Sequence, residues 1–431
     1  MPIHHLKAAP GLPPQDASDT ADTVAIMLAR LRAGREEAAR DYARRLDGWS
    51  GDGTPELSQE ALAGAHRRLP VTLCEDIAYA HANIRAFAEA QRASITEFET
   101  ELRPGLVAGQ RLLPLTCAGA YVPGGRYAHI ASALMTITTA RAAGVPQVTA
   151  CTPPGKDGPH PAILHAMHVA GVDRLLAMGG VQGIAALAFG LFDLPEADLL
   201  AGPGNAFVAE AKRQLFGPVG IDMVAGPTDS MILADATASP RRVALDLVSQ
   251  AEHGGTSPVW LVTDHRPLAE AVLHEVPRII ETLPEPNRQA AATAWEALGE
   301  VMLAENREEM AAQADVYAPE HLHAQCAALD WWRDRLSAYG SLFLGAETTV
   351  AFGDKAAGPN HVLPTGRAAR YTGGLSVHKF LKCVTWQRVE PRALPELARA
   401  SAGISRAEGM EGHARAAEDR LTGPEARLGG L

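Results

Sequence analysis

The sequence predicts an α/β protein made of two doubly wound units, and three observations predict it. Short apolar runs, each followed by a Gly- or Pro-marked turn and then a helical pattern, recur from Gly119 to Leu215. The same alternation returns between Met231 and Leu344. A chain of 431 residues is also too long for one ordinary core, which makes two or three domains the expectation.

Residues 1–20 are Pro-rich and aperiodic, and read as an arm. Val24, Met27, Leu28, Leu31 and Ala38 recur at helical spacing and predict a helix over 21–48, closed by Gly48 to Gly53. Thr72 with Glu75 has the form of a capping box, and Ile77, Ile84 and Phe87 give the next helix its apolar face. The segment Gly119 to Gly125 reads as a strand ending in a turn, with a helix from Ser132 to Ala143. Strands follow at Gln147–Cys151, Leu175–Met178 and Asp198–Ala201. The second is followed by a helix from Gln182 to Phe189; the third runs through Gly202-Pro203-Gly204-Asn205 into a helix ending at Leu215. Later strands are expected at Met231–Ala234, Val259–Val262 and Ser341–Leu344, with a helix from Ser239-Pro240 to about His253. Residues 385–431 turn helical and charged.

Composition narrows the function. Apolar content of 47% excludes disorder for most of the chain, and no apolar run reaches membrane-spanning length. The first residues lack the basic-then-apolar layout of a signal peptide, so a cytoplasmic location is expected. A net charge of −11 with no basic run makes nucleic acid and anionic membrane poor partners. Cys74, Cys117, Cys151, Cys326 and Cys383 contain no CxxC pair, which points to free thiols, not a disulfide scaffold or a thiolate metal site.

The most distinctive stretch is the loop Gly353-Asp354-Lys355-Ala356-Ala357-Gly358-Pro359-Asn360-His361-Val362-Leu363-Pro364-Thr365-Gly366. It joins special backbone geometry to ligand-type side chains. Gln250 and His253, three apart near a helix end, can present two metal donors, although a His in a last turn also caps a helix. Glu320-His321 offers a carboxylate beside an imidazole, suited to proton relay if a loop lets both act. Glu408 with Ser405 has the form of a capping box, and His413 lies five residues beyond Glu408 past Gly409 and Gly412.

Taken together, Gln250-Ala251-Glu252-His253, Pro319-Glu320-His321-Leu322, the Gly353–Gly366 loop and Glu408…His413 resemble the histidinol dehydrogenase family. Tyr121-Val122-Pro123-Gly124-Gly125, Gly202-Pro203-Gly204-Asn205 and Gly220-Ile221-Asp222-Met223 match it too. The resemblance implies two incomplete Rossmann-like domains with a helical N-terminal region and a helical C-terminal extension. It implies residues 21–120 and 229–375 as the larger α/β domain, 121–228 as a second one facing NAD, and 376–431 crossing to the partner of a homodimer. It implies zinc on Gln250, His253, Asp354 and His413, and Glu320 and His321 as acid and base. Tyr121, Gln182 and Asn205 would contact NAD; Thr228 and Glu408 would join His321 and the zinc ligands around the substrate. The implied reaction is a four-electron oxidation of an alcohol to a carboxylate through a bound aldehyde.

Several positions depart from the histidine-biosynthetic pattern. Gly254 replaces an acid after Gln-Ala-Glu-His, Gly226-Pro227-Thr228-Asp229 replaces Gly-Pro-Ser-Glu, and Lys355 follows Asp354. His378-Lys379 replaces a neutral or acidic pair, and Arg126 and His129 flank the Tyr121 turn. One acid is lost and cations are gained, which disfavours an ammonium-bearing substrate and favours an anionic alcohol. The segments Gly124–His129, Gly226–Ser230, Ser257–Trp260 and Ser376–Phe380 resemble the sulfopropanediol-oxidising branch of the family, which implies a sulfonate substrate and makes Arg126, His129, Lys355, His378 and Lys379 candidates to meet it. L-Histidinol oxidation, and a non-catalytic NAD- or metal-binding regulator, stay open as alternatives.

Overall fold

The structure is a computed structural model that describes residues 3–12, 18–51, 53–124 and 128–422. Among these, no helix is long and apolar enough to cross a membrane. The chain divides into two compact units. One comprises residues 1–92 and 115–380, the other residues 93–114 and 381–431.

The first unit holds two six-stranded sheets of matching topology. In one, the parallel strands run in the spatial order Arg174–Ala177, Gln147–Thr152, Cys117–Tyr121, Leu199–Ala201, Gly220–Ile221, with Glu56–Leu57 antiparallel on the first edge. In the other the order is Glu300–Leu303, Val259–Thr263, Ser230–Ala234, His321–Gln325, Ser341–Leu344, again with an antiparallel edge strand, His4–Lys7. By chain order both parallel sets read 3-2-1-4-5, a doubly wound pattern in which the direction of winding reverses at the central strand. The expected arm thus contributes a strand, His4–Lys7, whose short run of mixed polarity carries no period-2 signal.

Both faces of the second sheet are covered, so alternate residues enter different cores. Ile232 and Ala234 pack with helix Pro240–Ala251 and helix Arg266–Ile280; Met231 and Leu233 pack with Met310 and Trp332 on the other side. That is why these strands read as continuous apolar runs. On the first sheet, helix Ser18–Leu46 buries Val24, Leu31, Ala39 and Tyr42 against helices Gly180–Ala188 and Ala206–Leu215. Helix Val71–Ala93 starts one residue before Thr72, with Pro70 accepting its first turn. Thr72 is therefore inside the helix, and the expected capping box does not form.

The second unit contains a three-stranded antiparallel sheet in the order Leu381–Val389, Leu106–Pro114, Phe98–Arg103. The helices Leu394–Ala407 and Glu411–Asp419 follow. The C-terminal extension therefore opens with a nine-residue strand before its two helices. Ser405 sits within the first of these helices and Glu408 ends it, so the predicted capping box is absent there as well.

Candidate active site

Glu320 and His321 stand at the entry of strand His321–Gln325, where strand pairing has only begun and both side chains are buried. The neighbouring strand entry fixes them. The Asp229 N–H donates to Glu320 Oε2 at 3.2 Å, and the Glu320 N–H donates to Asp229 Oδ1 at 2.7 Å, a reciprocal clamp. Gly366, at the end of the long loop, donates its N–H to Asp229 Oδ2 at 3.1 Å. His321 Nδ1 lies 3.4 Å from the Asp229 carbonyl, which can only accept, so Nδ1 carries a proton and Nε2 is the position that gains or releases the second one. Nε2 is buried without a hydrogen-bond partner and lies 3.3 Å from Asp354 Oδ1.

Burial is the largest influence on Glu320; with the nearby carboxylates of Asp229 and Asp354 it outweighs the pull of His321 and pushes the group up to about 8. His321 is lowered by burial, but Glu320 and Asp354 overcome this and raise it to about 9. Asp354 is raised by burial, yet His321, His361 and His253 hold it well below the usual carboxylate range.

Asp354 belongs to the short helix Val350–Lys355, capped by Thr349. Its backbone carbonyl accepts from His361 Nδ1 at 2.7 Å, while Ser132 Oγ lies 3.1 Å from His361 Nε2. Asn360 Nδ2 donates to Met135 O at 3.0 Å and to Thr139 Oγ1 at 3.1 Å. The polar loop is thus pinned to helix Ile130–Ala142, which follows the central strand of the other sheet. Asp229, Asn360 and His361 had no role in the sequence reading. The latter two were visible only as members of the loop, and Asp229 only as a departure.

Helix Pro240–Ala251 ends before His253, which lies in the following turn, so the two candidate donors are not both helical. His253 Nε2 is 3.9 Å from Asp354 Oδ2, too far for a hydrogen bond. Gln250 is buried one turn upstream, and its Oε1 has no hydrogen-bond partner. An orphaned buried amide oxygen, an imidazole and a carboxylate are donors that zinc accepts, so these residues fit the implied metal. Among the described residues, no three His, Cys, Asp or Glu side chains gather as a complete cage. Glu408 and His413 lie in the second unit, Glu408 closing one helix and His413 in the next, both exposed.

The nucleotide candidates sit at carboxyl ends of strands of the first sheet. Tyr121 ends the central strand, and its hydroxyl accepts the Gly180 N–H at 3.2 Å. Gln182 is buried on helix Gly180–Ala188; its Nε2 donates to Asp47 Oδ2 at 2.9 Å and its Oε1 is unpartnered. Asn205 caps helix Ala206–Leu215 through Oδ1, accepting from Val208 at 3.1 Å, which leaves its amide NH₂ for a ligand. The Gly202 turn before it is fixed by the buried pair Lys212–Asp222. Lys212 donates to Gly202 O at 2.9 Å, and Asp222 accepts from the Gly202 N–H at 2.8 Å.

Of the cation candidates, His129 is half-buried; burial, then His361, Lys355 and His253, lower it to about 4. His129 and the exposed Lys355 therefore share the surroundings of His253. His378 and Lys379 lie on the turn Val377–Phe380, which packs on helix Ile130–Ala142. Arg126 lies outside the described residues. Thr228 is half-buried next to Asp229.

The family model for histidinol dehydrogenase matches residues 12–421. A "histidinol dehydrogenase homolog" of Ruegeria pomeroyi is 70% identical, over 98% of this chain and 97% of that protein. A sulfopropanediol 3-dehydrogenase of the same organism is 57% identical, again over 98% and 97%. The crystal structure of histidinol dehydrogenase from Elizabethkingia anophelis superposes with a TM-score of 0.90 at 31% identity, covering 95% of this chain and 94% of that one.

Proposed function

The chain belongs to the histidinol dehydrogenase family of NAD-dependent oxidoreductases, whose reaction takes an alcohol to an acid in four electrons, and from that premise we propose that it oxidises 2,3-dihydroxypropane-1-sulfonate to sulfolactate. The observation that carries the proposal is the electrostatics beside Asp354. Lys355 follows it directly and Gly254 stands where biosynthetic members carry an acid, while His129, lowered to about 4, adds no charge near neutral pH. Such a mouth repels an ammonium group and attracts a sulfonate. Identity of 57% to a protein named for sulfopropanediol supports the same substrate.

Gln250, His253 and Asp354 would hold zinc, with His413 of a second copy as fourth donor and Glu408 of that copy facing the substrate. When bound, the zinc would neutralise Asp354, weaken the hold of His321 on a second proton and orient the alcohol oxygen. Tyr121, Gln182 and Asn205 would position NAD, which supplies the hydride acceptor for each of two oxidations. His321 takes the hydroxyl proton at Nε2 as hydride leaves the carbinol carbon. Its Nδ1–H stays on the Asp229 carbonyl, which fixes the ring. Glu320, once ionised, takes a proton from the water that adds to the aldehyde, and a second hydride loss then yields the carboxylate. A group raised to about 8 is a stronger base than an ordinary carboxylate, as this step requires. The buried setting of both groups shields the aldehyde from bulk water.

NADH formation with dihydroxypropane sulfonate and with L-histidinol, compared at equal enzyme concentration, tests the proposal. Turnover of the sulfonate, two NADH per molecule, is the expected result. Turnover of L-histidinol alone would return the chain to histidine biosynthesis.

A further inference from the structure

We infer that Asp246 is a positioning residue that sets the spacing of the elements carrying the metal donors and the base. The inference rests on the ligand assignment proposed above. Gln250, His321 and Asp354 come from three segments remote in sequence: helix Pro240–Ala251, strand His321–Gln325 and helix Val350–Lys355. Metal–ligand distances tolerate deviations of only about 0.2 Å, so the segments need a common anchor.

Asp246 lies one helical turn before Gln250, on the same face. Its Oδ1 accepts from Thr349 Oγ1 at 2.9 Å, and its Oδ2 accepts from Gln325 Nε2 at 2.7 Å. Thr349 is the N-cap of the helix bearing Asp354, and its hydroxyl also receives the Ala351 N–H at 3.4 Å. Gln325 ends the strand that His321 opens. One acceptor-only carboxylate therefore takes a hydrogen bond from each of the other two elements.

The neighbouring groups reinforce the tie. His323 Nε2 donates to Gly345 O at 2.9 Å, which leaves its Nδ1 as a lone pair 3.5 Å from Gln325 Nε2 and 3.6 Å from Asp246. Arg242, one turn further back, donates to Ala346 O at 3.1 Å and pairs with Glu347 at 2.8 Å. Ala346, Glu347 and Thr349, on the approach to the Asp354 helix, are thus fastened to the helix that carries Gln250, and Gly345 to the strand that His321 opens. None of Asp246, Thr349 or Gln325 is among the proposed ligands or the acid–base pair, so each acts through the residues it holds.

The test is a zinc titration of the full-length protein against a buffering chelator, for wild type, Asp246→Asn, Thr349→Val, the double variant and Thr349→Ser. Supporting hydrogen bonds of this kind typically contribute 10–100-fold to metal affinity. Each of the first two variants is expected to bind zinc about tenfold or more weakly. The double variant should lose less than the product of the two single losses, because both singles break the Asp246–Thr349 bond, and an exact product would count against that bond. Thr349→Ser keeps both roles of the hydroxyl and should restore wild-type affinity. The visible spectrum of the cobalt-substituted protein should change in the first two variants and not in Thr349→Ser. Wild-type zinc affinity in folded Asp246→Asn and Thr349→Val would overturn the inference; if Asp246→Asn does not fold, Thr349→Val with its serine rescue decides alone. A wild-type protein that takes up no zinc would overturn the ligand assignment instead.

Discussion

At the residue scale, the environment of Glu320 decides what the pair Glu320-His321 can do. Three charged neighbours face Glu320: His321, Asp229 and Asp354. Burial and the two carboxylates keep it protonated to higher pH than an ordinary glutamate, so its use as a base has an acid limb set near its raised value. Asp229→Asn removes one of the raising charges. Glu320 then ionises at lower pH, and the acid limb of aldehyde oxidation is expected to move down the pH scale; a profile of kcat against pH with the aldehyde as substrate reads this, and an unmoved limb contradicts the assignment of Glu320. The loss of one Asp229 oxygen as acceptor should also lower kcat itself, because Glu320 N–H and Gly366 N–H both depend on that carboxylate. Lys355 sits directly beside Asp354 but is exposed. If it meets the sulfonate, its removal breaks a charge-assisted bond of about 2–5 kcal/mol when the pair is desolvated by substrate. Lys355→Ala should therefore raise KM for the sulfonate tenfold or more and leave an uncharged diol nearly unaffected, which steady-state kinetics on the two substrates would show.

At the element scale, backbone geometry shapes the side proposed to bind NAD. Gly202 has φ +117, and a Cβ there would lie 2.0 Å from the Tyr121 carbonyl oxygen. Gly202→Ala must therefore push the Gly202–Asn205 turn away from the strand ending in Tyr121. The expected outcome is a lower melting temperature and a KM for NAD raised by about tenfold or more, with zinc content unchanged; an unaltered KM for NAD would separate this turn from nucleotide binding. Much of this level was legible beforehand. Seven of the ten parallel strands among the described residues follow the run–turn–helix texture, because strands buried on both faces must be apolar throughout; Gly220–Ile221 is too short to show it, and Glu300–Leu303 and His321–Gln325 are broken by Glu300, His321, His323 and Gln325. Strand Leu381–Val389 was not legible, since its Lys382, Gln387 and Arg388 are exposed in a small antiparallel sheet and dilute the signal. The capping boxes at Thr72 and Ser405 failed because a four-residue motif marks a helix start only where no helix is already running; Pro70 had already begun the first helix, and Ser405 lay in the last turn of the other. In the candidate site, the pairing of His321 with Asp354 bridges 33 positions of chain and Asp229 with Glu320 bridges 91, distances that no local pattern encodes.

At the scale of the whole molecule, the two sheets share one topology but offer different ends for function. The first has glycine-marked turns and the Asn205-capped helix at its carboxyl ends. The second fills the corresponding position with Asp235, which accepts the Ala327 N–H, and with Asp264 nearby, an acidic setting unsuited to a pyrophosphate. Its chemistry sits instead at the amino ends, at Asp229 and Glu320-His321. On the function proposed above, this division would give one nucleotide per chain to the first sheet and one set of proton-transfer groups to the second. The remaining expected donor, His413, and the substrate contact Glu408 belong to the other compact unit, on helices that end in exposed turns. If these residues act in the site of a second copy, as proposed, activity belongs to the assembly and not to the single chain. Two inactive variants then test it together. His321→Ala removes the base and His413→Ala removes a zinc donor, so homodimers of either are expected to be inactive. A mixed dimer contains one site with both defects and one with neither. Mixing the two proteins under conditions of subunit exchange should therefore restore NADH formation, approaching a quarter of wild-type activity when exchange is statistical, because half of the dimers are mixed and each has one intact site of two. Mixed dimers shown to form, yet without activity, would place His413 in the site of its own chain, and an active His413→Ala protein would place it outside the site altogether.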